Sequence, residues 1–173
     1  KIHREVGVPA TIFMVGCKIE RHLPQLEACL ASGLFEIAQH THEHHPLKTV
    51  VEQSADNVYL AGLHFDRIEE QLARPVELLR RCLGIHCRGV TAPYSHYRGL
   101  SDRPDILEIV ARLGMSYVRS YGRNSLDYFP LAHDLQPFWY GRQGFPDLLE
   151  IPMQGWIDAQ WRREHGWQNW EDY

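Results

Sequence analysis

The run Pro9-Ala10-Thr11-Ile12-Phe13-Met14-Val15, closed by Gly16, is continuous in apolar, β-branched and aromatic side chains. Such a segment has no polar face to offer water, so it suits a strand of a parallel sheet covered on both sides. Residues 19–32 then place Ile19, Leu23, Leu26 and Leu30 at three- and four-residue steps, which predicts a helix stopped by Gly33. Leu34–Ala38 reads as a second strand. A helical pattern over residues 55–83 lines up Phe65, Ile68, Leu72, Val76, Leu79 and Leu83, with Pro75 expected to kink or divide it and Gly84 to end it. Ile85–Val90 reads as a third strand. Ser101-Asp102-Arg103-Pro104 reads as a helix start, with a capping side chain and proline in the first turn. Ile106, Ile109, Val110 and Leu113 form that helix's buried stripe, and Gly114 closes it. Met115–Val118 and Asp147–Met153 supply a fourth and a fifth strand. Strand–helix–strand alternation with short connections defines an α/β fold around a parallel sheet.

Several classes of function are excluded by what this alternation lacks. Val15-Gly16-Cys17-Lys18 does not supply the glycine-rich turn of a dinucleotide fold, and no GxxxxGK[ST] occurs, so nucleotide binding is disfavoured. The net charge of −4 argues against nucleic acid, whose binding domains carry a basic excess. No apolar run approaches the roughly 18 residues of a membrane span. The four cysteines (Cys17, Cys29, Cys82 and Cys87) form no CxxC pair and are read as structural thiols. The chain opens at Lys1 without a targeting leader and stops at Trp170-Glu171-Asp172-Tyr173, so it reads as a segment of something longer.

Of the 11 histidines, four crowd into His40-Thr41-His42-Glu43-His44-His45, directly after the second strand. That is where α/β folds put their chemistry, at the carboxyl ends of the strands. His40 and His44 stand four apart, and in a helical turn both imidazoles would share one face and one metal ion. His42 and His45 are the competing pair on spacing alone. Two imidazoles plus a carboxylate suit zinc and leave a position open for water. The plain alternative is a solvated loop that happens to be rich in histidine. HExxH is absent, so Glu43 is not a metalloprotease base by pattern.

Three segments together carry a family resemblance. Val8-Pro9-Ala10-Thr11-Ile12-Phe13-Met14-Val15-Gly16 is similar to the VPATFFVVG strand of the polysaccharide deacetylases, the NodB-homology group of carbohydrate esterases. Ser32–His44 resembles their GHEIGNHTxxH segment, and Arg88-Gly89-Val90-Thr91-Ala92-Pro93-Tyr94 their RGFRAPY segment. The resemblance implies a distorted, partly closed (β/α) barrel, truncated at both ends, with residues 1–173 forming a partial catalytic domain. It implies hydrolysis of the acetamide on an N-acetylated glycan by water activated on a divalent metal, most simply zinc. Carried over, the metal ligands are His40 and His44, with Thr41 supporting the loop. The backbone N–H of Tyr94, after Pro93, becomes the oxyanion donor.

The family's aspartate pair would precede Lys1, and its late histidine would follow the last strand. The 173-residue segment alone is therefore expected to be inactive. His165 lies in a polar stretch and is not given the histidine's role. Thr91 stands where the family has an arginine, and a hydroxyl cannot replace a guanidinium's charge or its fork of donors. Arg88 and Arg98 are the candidates to reach in instead. Asp158-Ala159-Gln160-Trp161 is loosely similar to the family's fourth motif, which nominates Asp158 and Trp161, beside Tyr94, for contact with substrate. The tryptophans gathered in the last 35 residues fit sugar stacking or exterior packing. A domain opening cyclic amides, or a degenerate one that binds glycan or metal without hydrolysis, shares the same features.

Overall fold

The computed structural model describes residues 2–52, 58–155, 157, 161, 162 and 166. An exposed helix α1 (Ile2–Val6) precedes β1 (Ala10–Met14), the strand announced by the apolar run. Two 3-10 turns lead into α2 (Leu23–Leu30), which begins later than its apolar spacing implies because a proline occupies its first turn. β2 (Phe35–Gln39) runs into the histidine loop. The long helical pattern proves too long at its start: β3 (Val50–Glu52) and β4 (Val58–Leu60) pair antiparallel, Val50 opposite Leu60. The β-branched and aromatic Val58 and Tyr59 suit a strand, and the true helical stripe opens only at Phe65.

From there α3 (Phe65–Leu83) is one continuous helix. Pro75 neither ends nor divides it; the ring is buried on the core-facing side, and Gly84 takes the left-handed cap at φ 66°. β5 (Gly89–Tyr97) begins later than expected and runs on through the Pro93-Tyr94 segment. α4 (Pro104–Arg112) has no side-chain cap: Arg103 occupies the N-cap position and pairs with Asp105, while Asp102 receives the Lys48 ammonium at 2.6 Å. β6 (Tyr117–Arg123), β7 (Phe138–Tyr140) and β8 (Phe145–Glu150) complete the set.

Six strands form one sheet in the order β1-β2-β5-β6-β8-β7, parallel except for β7 against β8. Each crossover carries the chain one strand further in the same direction. Right-handed crossovers wound one way place their helices on one face, which is the winding of a (β/α) barrel and not of a doubly wound sheet. The core accordingly lies between Ile37, Val90 and Val118 of the sheet and Leu26, Ile68, Leu72, Leu79, Ile106 and Val110 of the helices. The opposite, inner face carries Phe13 edge-to-face on Tyr117 at 6.3 Å between ring centroids. All four cysteines are free thiols; Cys87 is buried, and burial pushes its pKa up to about 11. Among the described residues no helix is long and apolar enough to cross a membrane.

Candidate functional site

Beyond β2 the histidine loop is fastened by its backbone. The His40 N–H donates to the Met14 carbonyl at 2.8 Å, and the N–H groups of Gly16 and Cys17 donate to the Thr41 and His42 carbonyls at 2.8 and 2.9 Å. Gln71, buried on α3, closes the other side: its carbonyl oxygen accepts the Glu43 N–H at 2.9 Å and its amide donates to the Glu43 carboxylate at 2.6 Å. Glu43 is thus an anchor of the loop. Gly16 is required by proximity, since a Cβ there would stand 2.6 Å from the His42 ring and 2.8 Å from Pro75.

The loop is not the helical turn that the four-residue spacing implied. Thr41 and His44 both take left-handed backbone, at φ 55° and 62°. For a β-branched threonine this is a costly conformation, on the order of 1–3 kcal/mol, and it persists only where the surroundings over-determine it. The two reversals bring His40 and His44 together with ring centroids 4.5 Å apart at 79°. Thr41 is fully buried beneath them. His42 and His45 are not brought together: His42 is buried beside Gly16, Cys17 and Arg74, and exposed His45 lies 3.9 Å from Glu43.

His40 is oriented from β5. Its Nδ1 lies 2.8 Å from the Thr91 carbonyl, and a carbonyl can only accept, so Nδ1 carries the proton and Nε2 keeps its lone pair. Burial lowers the His40 pKa to about 4, the Thr91 bond opposes the shift and His44 adds to it, so the ring is neutral at pH 7. His44 is also shifted down, by burial first and then by Lys18 and His45. Two neutral imidazoles held face to edge fit a borderline divalent ion as two of its ligands. Among the described residues no group of three His, Cys, Asp or Glu side chains converges, so this pair is the part of such a donor set visible here.

Tyr94 faces the pair, its ring 5.3 Å from that of His44. The β5–β6 ladder passes from Thr91–Arg119 directly to His96–Tyr121, so residues 92–95 stand opposite Ser120 alone. This bulge contains Pro93, and it turns Tyr94 and Ser95 left-handed at φ 64° and 52°. Arg123 secures it: Nε donates to the Tyr94 carbonyl at 2.7 Å, and Nη1 donates to the Val51 and Asp127 carbonyls at 2.6 and 2.7 Å. Sequence reading missed Arg123, because nothing in Gly122-Arg123-Asn124 marks it as buried.

Neither arginine proposed to replace the one missing at Thr91 is there. Arg88 is exposed at the start of β5, the end away from the histidines, and Arg98 is exposed in the turn after it. Thr91 itself serves through its backbone, holding His40, while its hydroxyl donates to the Arg119 carbonyl at 3.0 Å. Trp161 is half-buried in a short turn past β8. Asp158 and His165 lie outside the described residues.

A singly wound (β/α) sheet carrying a neutral imidazole pair and a strained tyrosine turn at its carboxyl edge defines the class. The sequence profile described as polysaccharide deacetylase matches residues 1–118, and the chain belongs to that family. No match is found among curated protein sequences. Among solved structures, IcaB from Ammonifex degensii is 19% identical with a TM-score of 0.59, covering 96% of this chain and 64% of that one. The deacetylase domain of BpsB from Bordetella bronchiseptica is 16% identical with a TM-score of 0.56, covering 88% and 63%. The Streptococcus pyogenes deacetylase PplD, solved with acetate, is 17% identical with a TM-score of 0.54, covering 88% and 56%. These likenesses show the fold, the α/β barrel type of the family, and the chain spans less than two thirds of each of those proteins.

Proposed function

We propose that the protein is a hydrolase of carbon–nitrogen bonds other than peptide bonds, removing acetyl groups from N-acetylated sugars of a glycan. The observation that carries this reading is the bond from His40 Nδ1 to the Thr91 carbonyl, which frees Nε2 of a neutral ring beside His44. His40 and His44 would hold a divalent ion, with zinc suited to the imidazole donors. Bound there, such an ion would polarise an amide carbonyl and acidify water.

The chain's own part is positioning. Thr41 and Gln71 fix the loop, Thr91 fixes the His40 tautomer, and Arg123 fixes the turn that presents the Tyr94 N–H, the proposed oxyanion donor. The Tyr94 ring, beside His44, would form a wall against the sugar. Trp161 and Asp158 are proposed as further substrate contacts.

The test is made on the full-length protein. Zinc binding is measured by calorimetry, and acetate release from an N-acetylglucosamine oligomer is followed in parallel. His40→Ala and His44→Ala should each abolish both, and His42→Ala should preserve zinc binding. Zinc affinity that depends on His42 instead would overturn the ligand assignment. Stoichiometric zinc with no acetate released from chitin or peptidoglycan fragments would overturn the hydrolase reading.

A further inference from the structure

A pocket of about 250 Å³ opens beside the histidine loop, where the turn after β1 meets α3. Neither His40 nor His44 lines it. Gly16, Cys17 and Glu20 come from the turn, Arg74, Glu77 and Arg81 from α3, and His42 from the loop. The His42 side chain is only 6% exposed, and its Nδ1 has no hydrogen-bond partner among the described residues. That nitrogen faces Gly16, in the gap that a Cβ there would fill at 2.6 Å. Cys17 is the exposed thiol of the chain, whereas Cys29 and Cys82 are half-buried and Cys87 is buried. Its backbone N–H donates to the His42 carbonyl at 2.9 Å, so thiol and imidazole belong to neighbouring, mutually fastened residues.

The charges of the pocket balance, and half of them are already spent. Residues 74, 77 and 81 share one face of α3 by their three- and four-residue steps. Arg81 donates to Glu20 at 2.8 Å, which neutralises one pair. Arg74 reaches only Glu70, at 3.9 Å, beyond hydrogen-bond distance, and Glu70 is taken by Arg67 at 3.0 Å. Glu77 has no ion pair or hydrogen bond among the described residues. One guanidinium and one carboxylate therefore remain open in the same small space. That combination suits a ligand carrying both a carboxylate and an ammonium group better than a plain anion or a plain cation. The volume lies below the range that takes drug-sized ligands, which fits a group of amino-acid size. A partly exposed thiol beside guanidinium and imidazole groups is the kind that exchanges with disulfides.

We propose that Cys17 is a thiolation site that takes up the cysteinyl half of a small amino-acid disulfide in this pocket. Arg74 receives the carboxylate of the incoming group and Glu77 its ammonium. The Cys17 thiol gives its proton to water, and the thiolate sulfur attacks one sulfur of the disulfide. The disulfide's own S–S bond breaks as the bond to Cys17 forms, and the departing thiolate takes up a proton. The disulfide is the oxidant, so the exchange needs no other reactant. The adduct lies against His42, in the segment that joins His40 to His44.

The experiment exposes the reduced full-length protein to L-cystine and locates the adduct by peptide mass mapping, so it reads out whether or not deacetylation is found. Cystamine, which lacks the carboxylates, and dithiodipropionate, which lacks the ammonium groups, serve as comparison reagents. Each rate is divided by that of the same reagent on the urea-unfolded protein, which removes its intrinsic reactivity. The adduct should form on Cys17, and cystine should be favoured about tenfold over either comparison reagent, the worth of one charge-assisted contact. Arg74→Met should bring cystine down to the cystamine rate, and Glu77→Gln down to the dithiodipropionate rate. Arg112→Met, whose side chain is on Glu69 outside the pocket, should react as wild type. Equal normalised rates for the three reagents, an adduct formed mainly on another cysteine, or a cystine rate unchanged by Arg74→Met would each overturn the proposal.

Discussion

Glu150, at the end of β8, accepts the N–H groups of Ser120 and Tyr121 at 2.7 and 2.9 Å, the Ser120 hydroxyl at 2.6 Å and the Tyr140 hydroxyl at 2.5 Å. Burial nonetheless raises its pKa; these donors only oppose the shift. A carboxyl whose folded pKa is raised contributes most to stability at acid pH, and the contribution is lost as pH rises through the folded value. Glu150→Gln keeps the geometry, since both hydroxyls can accept from the amide, and it removes the ionisation. The stability of this variant relative to wild type should therefore improve as pH rises above the ordinary carboxylate range of about 4, when followed by thermal melting. A difference that stays flat as pH rises above that range would mean Glu150 ionises at its ordinary pKa. Tyr140 shares the cluster, and its hydroxyl also accepts the Leu100 N–H at 3.1 Å, so the same four residues tie β6, β8 and the turn after β5 into one unit.

At the scale of elements, the Tyr94 bulge depends on Arg123 more than on its own sequence. Arg123→Met should destabilise the protein by about 3 kcal/mol, because three part-buried carbonyls lose one buried charged donor together. Chemical denaturation gives this value, and hydrogen exchange should show the protection of residues 92–97 falling first. The strands and helices that were legible in sequence are the apolar ones: β1, β2, and α3 from Phe65 onward follow directly from side-chain periodicity. The overrun of β5 past Val90 was not legible, because Pro93, Ser95 and His96 are poor strand residues whose places are set by β6. The β3–β4 hairpin was absorbed into a helical pattern for the complementary reason, Val58 and Leu60 being apolar enough to extend it. At the site, spacing left two histidine pairs open, the family resemblance selected His40 and His44, and the helical turn implied for that pair is not the backbone it has. Left-handed Thr41 and His44 are imposed by the Met14, Gly16 and Gln71 anchors. Arg119 and Arg123 could not be read from sequence, since their relation to Thr91 and Tyr94 is one of strand register.

For the whole molecule, one continuous core lies between the helices and one face of the sheet, with Leu72 fully buried within it. Leu72→Ala should cost about 2–5 kcal/mol by denaturant titration, the range for emptying a fully buried leucine site. The inner face, by contrast, is polar at Glu36 and Arg119 and aromatic at Phe13 and Tyr117, so the two sides of one sheet are given to different tasks. Helices cover the stable side, and the chemistry-bearing side is open among the described residues.

The β3–β4 hairpin sits at that open side and is held in an unusual manner. The Val51 N–H donates to the Asp127 carboxylate at 2.7 Å, and the Val51 carbonyl accepts from Arg123 at 2.6 Å. Both fasteners grip main-chain atoms, which every residue possesses. The outward side chains of the hairpin, among them Tyr59 at 75% exposure, are thereby released from holding it, while Val50 stays buried. The outer positions of this hairpin are in that respect free to change without disturbing the histidines.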